Sequence, residues 1–159
     1  MNKYFEQEKK WTCGPACARM MLADMGIEAT EQDLVEVLEA SFEGGGTRTD
    51  KWINLSDVYG VEVKTGSVES LEELESLRKD GWELTLNVFD GLPHYIRYRG
   101  VTDHKVLYWN PYFFKDSDMK KKAFMERWYV DTDNYFELGV INCERLVMDK
   151  WYVGIRKKK

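Results

Sequence analysis

Three features of the sequence predict an α+β fold. Apolar residues recur at helical spacing through the first half, β-branched and aromatic runs separated by turn residues fill the second, and no repeat or Pro/Ser-rich linker divides them. At 159 residues and 43% hydrophobic content, the chain is expected to form one domain, 1–159, around a single core. In that fold an N-terminal helical layer packs on a C-terminal twisted antiparallel sheet, with a groove between the two.

The first helix is expected from about Cys13 to Met25, where Ala16, Met20, Met21 and Ala23 supply apolar contacts and Gly26 ends the run. A second starts at Thr30, with Asp33 three residues on in a capping-box arrangement and Leu34, Val35, Val37 and Leu38 turned inward. Gly44, Gly45 and Gly46 mark a loop. Beyond it the pattern predicts a short helix at Thr49–Val58, a strand at Val61–Thr65, and a charged helix at Glu69–Lys79 burying Leu71, Leu74 and Leu77 before Gly81 closes it. Strands are expected at Trp82–Phe89, His94–Arg99, Lys105–Trp109, Tyr135–Asn142 and Trp151–Arg156. A helix near Asp118–Trp128 interrupts them, with Met119, Ala123, Phe124 and Trp128 inward.

Several function classes are disfavoured by the totals. A net charge of -5, from 28 acidic and 23 basic residues, offers no footprint for a phosphate backbone, so no nucleic-acid partner is expected. The basic terminus Arg156–Lys159 reads as a solubilising tail. The polar start MNKYFEQEKK and the lack of any apolar run of about 20 residues predict a cytoplasmic protein without a membrane partner. Cys13, Cys17 and Cys143 make an odd count of thiols, and free thiols are the default in a reducing compartment. With His94 and His104 these are the available soft metal ligands, but no Cys-x-x-Cys or His-x-x-x-His pair completes a set, so no metal is expected. Cys17 reads as a packed side chain under the first helix, Cys143 as a strand-end core residue and His104 as a solvated turn residue. Gly44–Gly46 followed by Thr47-Arg48 fails as a phosphate cradle.

The informative segment is Gln7–Met21, QEKKWTCGPACARMM, where a cysteine opens an apolar helix. Unpaired N–H groups and the positive dipole end stabilise a thiolate there and lower the pKa that governs thiol reactivity. Pro15 suits the first helical turn, and Gly14 would let a substrate carbonyl approach the backbone. Acyl transfer also needs donors aimed at the developing oxyanion, which the Cys13 N–H and the Gln7 carboxamide can supply. The base is expected at His94, opening LPHYIRYRG. If His94–Gly100 and Lys105–Trp109 form a hairpin, Asn110 returns to His94 and can orient its ring. Beside these four residues, Gly14, Trp11, Tyr95 and Trp109 are expected to bind substrate, and Tyr112, Phe113 and Phe114 continue the aromatic series near the groove.

Gln7, five intervening residues, Cys13-Gly14-Pro15-Ala16 opening a helix, then His94-Tyr95 on a strand and Asn110-Pro111 ending the next resemble the bacteriocin-processing (double-glycine) peptidase-like branch of the papain-like cysteine peptidases. The likeness runs from about Tyr4 to Trp128 and includes the helix ending AFMERW. It implies a papain-like fold and thiol-dependent hydrolysis of a peptide or isopeptide bond in a peptide or protein substrate, without a cofactor. Carried over by position, Cys13 is the nucleophile, His94 the general base and acid, Asn110 the orienter and Gln7 the oxyanion donor. The family more often has aspartate before the proline; Asn110 would hold the ring without adding charge. Transfer of the acyl group to an amine or thiol, or a peptide-binding module without turnover, are the alternative readings. Oligomeric state stays open.

Overall fold

The computed structural model describes residues 3–43, 45–113, 115–131 and 146–159. Its helices are α1 (Cys13–Asp24), α2 (Glu31–Val37), α3 (Asn54–Tyr59), α4 (Leu71–Lys79) and α5 (Lys121–Arg127). Its strands are β1 (Val61–Ser67), β2 (Glu83–Phe89), β3 (Pro93–Val101), β4 (Lys105–Asn110), β5 (Lys115–Lys120), β6 (Tyr129–Asp131), β7 (Val147–Asp149) and β8 (Trp151–Lys157). Six strands form an antiparallel sheet in the order β1-β8-β2-β3-β4-β5, and β6 pairs with β7. The α+β expectation holds, with helices leading and strands following.

Local chemistry accounts for the element starts. At α2 the Thr30 hydroxyl accepts the Asp33 N–H at 3.0 Å, while the Asp33 carboxylate accepts the Thr30 N–H at 2.9 Å. Ser70 plays the same part for α4, accepting the Glu73 N–H at 3.2 Å. The Thr49–Val58 segment divides into a 3₁₀ turn, Thr49–Lys51, and α3.

The sheet carries helices on both faces, where one helical layer was expected. One core cluster joins Met20, Met21 and Leu22 of α1 with Leu34, Trp52, Tyr95, Val153 and Ile155. The other joins Leu71 and Leu74 of α4 and Phe124 of α5 with Leu84, Leu86, Ile96 and Tyr98. This follows from β2, whose five central residues, Leu84–Val88, are all buried: alternate side chains point to opposite faces, so both faces need cover.

A second correction concerns Asp118–Lys120, expected to open the last helix. These residues belong to β5, which pairs along its whole length with β4, and α5 begins only at Lys121. The reading of Met119 as an inward helical residue gives way to a half-buried strand position. The strand expected at Tyr135–Asn142, together with Cys143 and Phe114, lies outside the described residues. Among the described residues no helix is long and apolar enough to cross a membrane.

Strand β3 carries one irregularity. Its register with β4 shifts between Tyr98 and Gly100, leaving Arg99 as the extra residue of a bulge. Gly100 sits there at φ 143°, where a side chain would be strained.

Candidate active site

Cys13 is the first residue of α1, and His94 is the second of β3. The two side chains interact, each shifting the other's pKa. Burial alone pushes the Cys13 thiol up, but the His94 charge, the His94 hydrogen bond and the N–H groups of Tyr95 and Gly14 outweigh it and hold the thiol below its usual range. Burial likewise disfavours the His94 cation. Its interactions with Cys13 and Asn110, with a contribution from Asp90, reverse that and raise its pKa. Each partner thus favours the charged form of the other.

Asn110 closes the set. Its Oδ1 lies 2.7 Å from His94 Nε2 and accepts the Tyr112 N–H at 3.0 Å. The Tyr112 donor fixes which end of the carboxamide faces His94: it must be the oxygen, so Nε2 carries a hydrogen and Nδ1 is the nitrogen left to take a proton. The β3–β4 hairpin makes the meeting possible. Arg97 pairs with Trp109, so the strands return Asn110 close to the start of β3. His104 is exposed at the turn, as expected, and Cys17 is fully buried.

Gln7 enters through the segment that leads into α1. Its N–H donates to the Pro111 carbonyl at 3.0 Å, tying it to the end of β4. Its Nε2 donates to the Lys9 carbonyl at 2.8 Å, and the same carbonyl accepts the Thr12 hydroxyl at 2.9 Å. One carboxamide hydrogen is therefore held by the loop, leaving the second for a ligand. The carboxamide cannot be turned over, since that would set two acceptors face to face.

The four residues expected to bind substrate fare differently. Trp11 is half-buried in this segment, with the Lys9 ammonium 5.3 Å from its ring centroid, and stays available at the surface. Gly14 is buried, and its open side is already filled: a Cβ there would stand 2.4 Å from Thr47 Oγ1 and 2.8 Å from Thr47 Cβ. The glycine admits Thr47, not substrate. Tyr95 is 4% exposed, set edge-on to Trp52, and its hydroxyl donates to the Thr47 carbonyl at 2.8 Å. It supports the loop from the core. Trp109 is 6% exposed and stacks on Tyr4 at 4.1 Å, so it too is a packing residue. Of the aromatic series that follows Trp109, Tyr112 and Phe113 are exposed, with Tyr112 edge-on to His94 at 6.4 Å. A small cavity of about 20 Å³ adjoins His94 and Asn110, walled by Val88, Ile96, Met119 and Phe124.

Thr47 escaped the sequence reading because its importance lies in a contact with Gly14, 33 positions earlier in the chain. Replacing Gly14 by alanine is expected to destabilise the fold by about 1–3 kcal/mol, the usual range for an overpacked core. The gain of up to about 1 kcal/mol from alanine's helix propensity does not offset this at a first-turn position. Urea denaturation measures the loss, and adding Thr47→Gly, which removes every atom in the clash, is expected to recover part of it.

A thiol and an imidazole that charge one another at a helix start, on a sheet covered on both faces, define a cysteine-type peptidase of papain-like fold. The chain belongs to the Peptidase C39 family, whose model matches residues 1–131. Among solved structures, the peptidase domain of Streptococcus ComA, a bifunctional ABC transporter involved in quorum sensing, is similar at TM-score 0.76 and 16% identity, with 99% of this chain and 100% of that one covered. A double glycine motif protease from an AMS/PCAT transporter, solved in complex with the leader peptide, is similar at TM-score 0.71 and 14% identity, covering 99% and 93%. The peptidase domain of Streptococcus mutans ComA is similar at 0.64 and 16%, covering 97% and 98%. Comparison with curated proteins finds no match.

Proposed function

We propose that this chain, acting as one domain in the cytoplasm, hydrolyses a peptide bond through an acyl-enzyme on Cys13. The His94 imidazole takes the thiol proton, and the thiolate attacks the scissile carbonyl carbon, turning its oxygen into an oxyanion. The Cys13 N–H and the free hydrogen of Gln7 Nε2 donate to that oxygen. As the C–N bond breaks, His94 returns the proton to the leaving amine, and a thioester remains. Water, deprotonated by His94, attacks the thioester, and the thiolate leaves. Asn110 keeps the ring in one orientation throughout.

The observation that carries this reading is a cysteine at the start of α1 electrostatically paired with His94, whose Nε2 lies 2.7 Å from Asn110 Oδ1. A peptide substrate is supported by the leader peptide bound to the double glycine motif protease of similar fold. The test is direct. Brief acid quenching during turnover of a peptide ester ending in Gly-Gly is expected to trap, by mass spectrometry, one acyl group on the peptide containing Cys13. A product stream with no adduct there, or an adduct on Cys17 instead, would refute the mechanism.

A further inference from the structure

Behind the segment that carries Gln7 lies a carboxylate that the mechanism does not use. Glu31, at the start of α2, is 3% exposed. Its Oε1 and Oε2 accept the Glu8 N–H at 3.1 and 3.0 Å. The Thr12 hydroxyl, which donates to the Lys9 carbonyl, stands near the same carboxylate, and the carboxylate of Glu8 is the charged group facing it. Among the described residues it has no cationic partner. So one buried acid holds the first residue of Glu8–Thr12, the five residues that separate Gln7 from Cys13.

A buried carboxylate is costly unless its oxygens are satisfied, and a leucine could occupy the same helical position without that cost. Nor does α2 need Glu31 as a cap, because Thr30 and Asp33 already form a complete capping box. The Glu8 N–H, shared between the two Glu31 oxygens, fixes the backbone next to the oxyanion donor.

We infer that Glu31 is a positioning residue: by holding the Glu8 amide it sets the distance between the Gln7 carboxamide and Cys13 that acylation requires. This rests on the function proposed above. Burial, with a smaller contribution from the Glu8 carboxylate, pushes its pKa up to about 7 against the opposing pull of the Glu8 N–H and Thr12. Above that pH both oxygens accept. Below it one becomes a hydroxyl, and the grip on the Glu8 amide loosens.

Two reactions of Cys13 separate this role from a general structural one. Alkylation by iodoacetamide and acylation by the p-nitrophenyl ester of an N-acetylated Gly-Gly both need the thiolate, but only acylation forms an oxyanion. Their rate ratio cancels the thiolate fraction. In the wild type the ratio of acylation to alkylation is expected to fall as pH drops through about 7. Glu31→Gln is expected to lower it about tenfold at pH above 7, the worth of one well-placed hydrogen bond, and to flatten its pH dependence. Glu31→Ala should lower it at least as far. A ratio unchanged in Glu31→Gln, or both rates falling together, would overturn the inference while leaving the peptidase reading intact. A wild type alkylated at Cys13 but never acylated would overturn both.

Discussion

Replacing Cys13 by alanine is expected to reduce peptide hydrolysis on the order of 10⁶-fold, and replacing His94 by alanine to cost nearly as much, because nucleophile and base act as a unit. The double variant should lose little more than either alone. Additive losses would mean that the two side chains serve separate steps. The His94→Ala variant makes a second prediction, whose sign follows from the site. In the wild type, burial raises the Cys13 pKa, and the His94 charge and hydrogen bond more than reverse it. Without the imidazole, burial is opposed only by the N–H groups of Tyr95 and Gly14. The pH midpoint for iodoacetamide alkylation at Cys13 should therefore move up, to a higher value than in the wild type. Cys17, fully buried and with its own pKa pushed well up, should remain unreactive in both proteins. A midpoint that does not move would show that His94 does not charge the thiol.

What could be read in the sequence follows from where the relevant forces act. Helix α1 was legible because its apolar spacing, its glycine stop and its opening cysteine all lie within one short segment. The meeting of His94 and Asn110 was legible because a hairpin is a local structure, so strand length alone returns one residue to the other. Strand β5, KDSDMK, was illegible: one apolar residue in six gives no period, and the segment becomes a strand by pairing its backbone with β4. Its charges then serve the edge. Lys105 pairs with Asp118 at 2.9 Å across the β4–β5 pair, and a charged edge resists further strand addition.

The misplaced site residues have a common cause. Gly14, Tyr95 and Trp109 adjoin the predicted catalytic residues in sequence, yet adjacency along a strand or helix start does not say which face a side chain takes. Tyr95 follows His94 and so points to the opposite side of the sheet, into the core with Trp52. The deep supports of the site, Thr47 behind Gly14 and Glu31 behind Glu8, act through contacts between segments far apart in the chain. Only the folded structure brings them to the residues they serve.

Arg97 is the largest such support, and its removal is expected to destabilise the fold by about 3–5 kcal/mol, the usual result of breaking a buried ion pair. Its guanidinium is buried between α1 and the sheet. It donates to the Leu84 and Tyr98 carbonyls at 3.0 and 2.9 Å, meets Asp24 Oδ2 at 3.0 Å and also pairs with Glu83. Asp24 is the last residue of α1, a helix with no basic side chain in its final turn, so its charge sits at the unfavourable negative end of the dipole. Arg97 neutralises that carboxylate and ties the far end of α1 to β3, the strand that carries His94. In Arg97→Met the Asp24 carboxylate stays buried, with the Lys3 N–H as its remaining donor. The urea midpoint should fall steeply with little change in slope, and Asp24→Asn added to Arg97→Met should restore part of the loss by removing the stranded charge. If the single variant loses less than about 1 kcal/mol, within the range of an exposed pair, the guanidinium is not the clamp between helix and sheet. Because α1 presents Cys13 and β3 presents His94, the same variant at a temperature where it remains folded should also show slower Cys13 alkylation, the thiol and imidazole having lost their fixed separation.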